Sequence, residues 1–323
     1  MRAVVLDAVG AALRVDEAHD EPVVDGGTVI DVTACGVCHS DLHVVDGDFP
    51  SPLPLVLGHE VTGVHDQLGP VMVYAPWGCK SCAQCADGLD MICGNATEAG
   101  LFTDGGYAER MHVRDVSFLH ALGDLDPVAS APLACGGLTA YRAVRHTLGE
   151  LDRLGRPGRV MVIGAGGLGQ FAIRYLRLLS EATVVAVDLA VDKRATALDI
   201  GAHEAAAPDE LAGTSGSVDV VIDFIGAEAT LTAAATSVAK QGAVIVVGLA
   251  GGRIPFGFAA VPHEARFLTS VWGSPAQLDE LLDLARSEPS IVAPVDVMAL
   301  ADAQLAHDRL RAGDTRGRIV LVP

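Results

Sequence analysis

Lysine is scarce in this chain: of 22 basic residues only Lys80, Lys193 and Lys240 are lysines, set against 41 Asp and Glu. The formal net charge of -19 repels phosphate backbones and anionic lipid, which excludes nucleic acid and membrane surfaces as expected partners. Long apolar runs are also missing, because charges, Gly or Pro interrupt each one before it reaches the length of a membrane span. At the N-terminus Asp7 arrives before any signal-type apolar segment develops, so a cytoplasmic location is expected. The seven cysteines are an odd number, and four of them fall within fifteen residues. In a chain without an export signal this favours metal binding over a disulfide framework.

The 323 residues, half of them apolar, suffice for two ordinary domains. Residues 1 to about 135 read as short strands punctuated by Gly and Pro, such as Val29–Thr33 and Val71–Tyr74, which is an all-β pattern of the partly open barrel kind. From Arg159 onward strands alternate with helices. Strands are expected at 159–163, 183–187, 218–224, 243–247 and 267–272, and helices at 168–180, 190–200 and 228–239. That alternation predicts an α/β fold with a doubly wound parallel sheet. Helices at about 276–286 and 301–312 and a strand at 318–322 complete the chain. The expected domains are 1–136 together with 274–323, and 137–273 inserted between them.

Arg159–Ile163 is an apolar strand that runs into Gly164-Ala165-Gly166-Gly167-Leu168-Gly169, a G-x-G-x-x-G pattern at the start of a helix. Gly164 suits a tight turn, Gly166 a close approach to a pyrophosphate, and Gly169 the packing of helix on strand. The helix N-terminus offers free N–H groups to the phosphates. The next strand ends in Asp188, nineteen residues after Gly169. A carboxylate there accepts from the adenosine ribose hydroxyls and repels a 2′-phosphate, so NAD is expected rather than NADP. Phe224-Ile225-Gly226 and Val247-Gly248-Leu249 follow later strands, where an open α/β sheet places its ligand crevice.

Cys79, Cys82, Cys85 and Cys93 are spaced C-x2-C-x2-C-x7-C. Four thiolates close a tetrahedral shell, as in a structural zinc site; a pair of disulfides or an iron–sulfur cluster are the other readings of the same residues. Cys38, His59, Glu60 and Cys135 are scattered, and their spacing alone goes no further than possible ligands.

In order along the chain come Cys35-Gly36-Val37-Cys38-His39-Ser40-Asp41-Leu42-His43, Gly58-His59-Glu60, the four-cysteine lobe and the glycine turn. Together they resemble the zinc-containing medium-chain dehydrogenase/reductase family over nearly the whole chain. Pro76-Trp77-Gly78-Cys79 and Val271-Trp272-Gly273 are most similar to its bacterial secondary-alcohol dehydrogenases. The resemblance implies a GroES-like, mostly β catalytic domain carrying an inserted Rossmann domain. It implies two zinc ions per chain, the catalytic one on Cys38, His59 and Cys135, the ligand set known for alcohol dehydrogenases as a class. Glu60 would be a near ligand, and Asp41 would fix the tautomer of His59.

By the same resemblance Ser40 takes the substrate proton and passes it through the cofactor ribose to His43. His39 and Arg318 reach the pyrophosphate, Lys193 lies near the adenosine ribose, Thr139 packs behind the nicotinamide, and Trp77 and Trp272 are candidate apolar walls for the substrate. The implied reaction is reversible hydride transfer between small alcohols or carbonyl compounds and NAD, in a homodimer or homotetramer. The alternatives are a zinc polyol dehydrogenase of the same fold and a non-catalytic NAD- and zinc-binding sensor. One departure from the family stands out: only nineteen residues separate His59 from Cys79, which predicts a shortened hairpin in the β domain.

Overall fold

A computed structural model describes residues 1–22, 26–211, 215–315 and 317–323. The chain divides into two compact units, Met1–Leu138 with Gly273–Pro323, and Thr139–Trp272.

The first unit is built on Thr28–Gly36, whose β-branched residues suit a half-buried strand. This strand pairs antiparallel with Glu60–His65, Arg110–Val113 and Arg318–Val322. The same sheet continues through Gly69–Val73 to Leu119–Ala121 on one side and to Val295–Ala299 on the other. Val320 pairs with Gly36, so the C-terminal strand lies among the N-terminal ones. A second sheet orders Arg14–Asp16, Ala3–Leu6 and Leu55–Val56. In this unit Val61, Val71, Met72, Val73, Phe118 and Leu133 are buried, each worth about 1.5–3 kcal/mol relative to exposure for the large aliphatic and aromatic side chains.

The shortened segment is a tight hairpin. His65 pairs with Gly69, Gly69 takes a φ of 72°, and Nδ1 of His65 accepts the N–H groups of Gln67 and Leu68 at 3.3 and 3.2 Å. The loop thus satisfies its own backbone without the additional residues.

The second unit holds a parallel six-stranded sheet. Its order is Glu204–Ala206, Thr183–Val187, Arg159–Ile163, Val218–Asp223, Val238–Val246, Arg266–Thr269. All six residues of Val218–Asp223 are buried, as a sheet covered by helices on both faces requires. Helices Gly167–Leu179, Val191–Asp199 and Glu228–Ser237 provide crossovers. The chain leaves the first strand, Arg159–Ile163, for one neighbour and returns on the other side to Val218–Asp223. The carboxyl ends of these strands therefore form a topological switch point, where such sheets bind ligands.

The strand expected at 243–247 begins five residues earlier, at Val238, where it already pairs with Val218. The strand expected at 267–272 spans Arg266–Thr269; Trp272 takes a φ of 48°, incompatible with an extended strand. Helix Gly136–Leu154 lies in a stretch to which the sequence reading assigned no element. Its signal is present, since Tyr141, Val144, Thr147 and Leu151 recur at helical spacing and all are buried. No described helix is long and apolar enough to cross a membrane.

Candidate functional site

The four-cysteine lobe forms from consecutive short turns. Cys79 follows strand Pro76–Trp77, Cys82 caps the one-turn helix Ala83–Ala86 that contains Cys85, and Cys93 ends the 3-10 turn Asp90–Ile92. The four sulfurs lie within 4.8 Å of one another, and all seven cysteines of the chain are free. Cys93 Sγ accepts the N–H groups of Cys79 and Asn95, each at 3.4 Å. The Ser81 hydroxyl donates to Cys79 Sγ at 3.3 Å, and chiefly through this bond holds the Cys79 thiol down to about 5, whereas burial pushes Cys85 up to about 12. A Cβ on Gly78 would come within 2.7 Å of Cys85 Sγ, so glycine is required there. Four thiol donors of matched reach fit one zinc with no position left open.

The second cluster gathers Cys38, His59, Glu60 and Cys135 from distant parts of the chain, again with ligand atoms within 4.8 Å and all four residues buried. Cys38 is the N-cap of helix His39–Asp46. His59 and Glu60 stand at the start of strand Glu60–His65, and Cys135 ends the 3-10 turn Ala131–Ala134. A hydrogen bond from Cys135 and the His59 ring hold the Cys38 thiol well below its ordinary value, while the shared proton and burial push Cys135 up. Burial would depress His59, yet Asp41 and Cys38 raise it well above the usual imidazole range. Its Nδ1 faces Asp41 Oδ1 at 3.1 Å, which leaves Nε2 as the ring atom for a metal. Two sulfurs and one imidazole are the donors of a catalytic zinc with one open position.

Glu60 sits where only a glycine partner tolerates it: a Cβ on Gly36 would lie 2.0 Å from Glu60 Oε2. Its Oε1 accepts the Gly136 N–H at 3.0 Å and the Arg318 guanidinium. Oε2 is buried with no hydrogen-bond partner, which suits an oxygen beside a cation. Burial lifts this carboxyl to about 7 against the downward pull of Arg318. Arg318, expected at the pyrophosphate, is placed on Glu60 and is 4% exposed; its Nε is buried and unpaired.

Ser40 Oγ lies 3.9 Å from Cys38 Sγ. His43, on the same helix, pairs through Nδ1 with Asp48 at 2.7 Å. His39 is exposed at the first helical position. Trp77 is buried and stacks on Phe118.

In the second unit the three motif glycines have distinct physical demands. Gly164 takes a φ of 88°, a left-handed turn. A Cβ on Gly169 would meet the Gly164 carbonyl oxygen at 1.9 Å, whereas a Cβ on Gly166 would meet nothing within 4 Å. Gly166 is thus not required by the protein's own packing, and the space beside it suits a phosphate. Gly167 and Leu168 open helix Gly167–Leu179. Asp188 accepts N–H groups from Ala165 and Ala190, both at 2.9 Å, so its carboxylate is fixed at the lip of the turn. Lys193 is half-buried on the following helix, Phe224 is half-buried, Ile225 is exposed, and Val247 and Thr139 are buried.

Asp223 was missed by sequence reasoning. Fully buried, it accepts from Ile225 and Gly226 N–H and from the Thr230 hydroxyl, and so shapes the turn after its strand. Its signal was an acid closing an apolar strand, the feature that singled out Asp188. Tyr107, which reaches Asp41, and His307, which reaches Tyr107, come from elsewhere in the chain and carried no local signal.

Residues 24–124 match the alcohol dehydrogenase GroES-like domain and residues 167–287 the zinc-binding dehydrogenase domain. The chain belongs to the zinc-containing medium-chain alcohol dehydrogenase family. It is 33% identical to an NAD-dependent alcohol dehydrogenase of Sulfolobus acidocaldarius, covering 99% of each chain. A crystal structure of the alcohol dehydrogenase from Aeropyrum pernix matches with a TM-score of 0.89 at 31% identity over 100% of both chains. A D-arabinose 1-dehydrogenase (NADP+) of Saccharolobus solfataricus is 30% identical, over 100% of this chain and 97% of that one.

Proposed function

We propose that this chain is a zinc-dependent alcohol dehydrogenase that moves a hydride reversibly between a small primary or secondary alcohol, or the matching aldehyde or ketone, and NAD. The observation that carries the reading is the convergence of Cys38, His59 and Cys135, with Glu60 beside them, into one buried donor set. When bound, zinc supplies a Lewis acid for the substrate oxygen and NAD a hydride acceptor.

The chain's own residues do the rest. Cys38, His59 and Cys135 hold the zinc, with Glu60 beside it. Ser40, next to Cys38, takes the hydroxyl proton, and His43 receives it at the outer end of the relay, its ring oriented by Asp48. Gly164, Gly166, Gly167, Leu168 and Gly169 cradle the pyrophosphate, to which His39 adds donor character, while Arg318 holds Glu60 beside the zinc. Asp188 receives the ribose hydroxyls with Lys193 nearby. Thr139, Phe224, Ile225 and Val247 flank the nicotinamide side, and Trp77 and Trp272 are apolar walls that favour uncharged substrates. Residues 1–136 and 274–323 make the catalytic domain and 137–273 the nucleotide domain. The enzyme is read as cytoplasmic and as a homodimer or homotetramer.

A zinc polyol dehydrogenase remains the second reading, favoured by the similarity to the D-arabinose enzyme. The deciding experiment is a spectrophotometric panel of simple alcohols, ketones and polyols with both cofactors, on protein of known zinc content. Simple alcohols with NAD should be turned over best, and Asp188→Gly should weaken NAD and relax the rejection of NADP. Equal kcat/KM for NAD and NADP in the unmodified protein would mean that Asp188 does not read the ribose; a preference for polyols would transfer the assignment to the second reading.

A further inference from the structure

Behind the buried metal cluster, three polar side chains from distant segments meet at one hydroxyl. Tyr107 Oη lies 3.0 Å from Asp41 Oδ2 and 3.2 Å from His307 Nε2. Tyr107 and Asp41 are fully buried and His307 is 3% exposed. Asp41 Oδ2 also accepts the Cys38 N–H at 2.8 Å, and its Oδ1 faces His59 Nδ1 at 3.1 Å. The Tyr107 ring is wedged in place. A Cβ on Gly58 would stand 2.4 Å from it, and its backbone bonds to Leu57 and Val4. His307, on helix Ala303–Ala312, meets the ring edge-on at 5.8 Å between centroids.

Hydrogen-bond direction here follows from counting protons. A carboxylate only accepts, and a tyrosine hydroxyl has a single proton to give. If Tyr107 donates to Asp41, its oxygen must accept from His307, so His307 must carry its proton on Nε2. Burial holds His307 below the ordinary imidazole value, which favours the neutral ring and makes the choice one between tautomers. The other tautomer, protonated on Nδ1, would draw the Tyr107 proton to itself and strip a buried carboxylate of one donor, a costly loss.

We propose that His307 and Tyr107 are positioning residues of the metal centre: the chain His307 Nε2–H to Tyr107 Oη–H to Asp41 to His59 Nδ1–H locks His59 with Nε2 presented to the metal. This rests on the reading of Cys38, His59 and Cys135 as a metal site. Asp41 alone would orient the ring, as carboxylates behind ligating histidines do. Tyr107 holds Asp41 itself, and His307 holds Tyr107 from a helix near the far end of the sequence.

The test begins with cobalt exchanged into the Cys2His cluster of the whole protein; absence of a cobalt–thiolate spectrum there would fail the metal-site reading. Independently, long-range proton–nitrogen correlation on histidine-labelled protein, metal-loaded and metal-free, reads the tautomer of His307, identified by the signal lost in His307→Gln. A neutral Nε2–H ring is expected, and an Nδ1–H ring overturns the proposal with or without metal. Transfer of cobalt from the cluster to a chelator is then compared among variants. Partners behind metal ligands are typically worth about 10–100-fold in affinity. Tyr107→Phe should speed release by about tenfold, the low end of that range, and His307→Leu several-fold, below it because His307 acts at one remove. The double variant should release no faster than Tyr107→Phe, since His307 acts through Tyr107. His307→Gln keeps a donor at the Nε2 position and should restore the parental rate. Additive effects, or His307→Gln as fast as His307→Leu, would assign both residues to general packing and overturn the chain. If His307→Leu does not fold, Tyr107→Phe and the tautomer decide.

Discussion

The two sulfur clusters of the first unit are made from the same chemistry in opposite ways. Cys79, Cys82, Cys85 and Cys93 come from fifteen consecutive residues, and three of the four are partly exposed. Cys38, His59 and Cys135 come from three separate segments and are buried. Four thiolates saturate a tetrahedral ion, so the first cluster can only hold the lobe together; two sulfurs and an imidazole leave a place for a substrate. Each cluster has a serine two residues after a cysteine, Ser81 after Cys79 and Ser40 after Cys38, within 3.3 and 3.9 Å of its sulfur. The proposed roles divide along the same line, stability for the locally built cluster and chemistry for the dispersed one.

Four substitutions would sharpen or break that contrast. The largest effect is expected from Cys135→Ala, which should abolish turnover and remove one zinc per chain while the four-cysteine lobe stays loaded. Elemental analysis with activity assays would show it, and a variant with full zinc and near-normal turnover would end the division of roles. Next, Ser40→Ala should lower kcat by about a hundred- to ten-thousand-fold, the worth of a general acid–base step. NAD affinity should hardly change, whereas Ser81→Ala should leave kcat at the parental value; equal losses in steady-state kinetics would erase the distinction between the two serines. Of the two cysteine changes, Cys93→Ala should have the smaller effect on chemistry. Because metal binding at a closed site is folding free energy, its melting temperature should fall by more than about 5 °C at roughly 2–4 °C per kcal/mol. The folded fraction should keep most of its turnover, and a variant that melts like the parent but is inactive would reverse the assignment of the two sites.

Signals confined to a short window were legible. Among the parallel strands, Arg159–Ile163 and Thr183–Val187 match the apolar runs at both ends, whereas the short edge strand Glu204–Ala206 has no such run and was not expected. Where boundaries moved, pairing decided: Val238 extends its strand because Val218 lies beside it. Helix Gly136–Leu154 was passed over although its apolar spacing was visible, because it sits at the change from one pattern to the other.

By itself the sequence determined what depends on neighbours along the chain. The four-cysteine lobe, the glycine turn and the acid at Asp188 are such features, because turn geometry and ligand reach act over a few residues. The gathering of Cys38, His59 and Cys135 was reached only through resemblance, since no spacing connects them. Only the tertiary structure decided that Glu60 faces Gly36, that Arg318 returns from the last strand to pair with it, and that Tyr107 and His307 stand behind Asp41. Those contacts join residues as many as 258 positions apart. They exist because sheet register and burial, set by the whole fold, bring buried polar groups from distant segments within reach of one another.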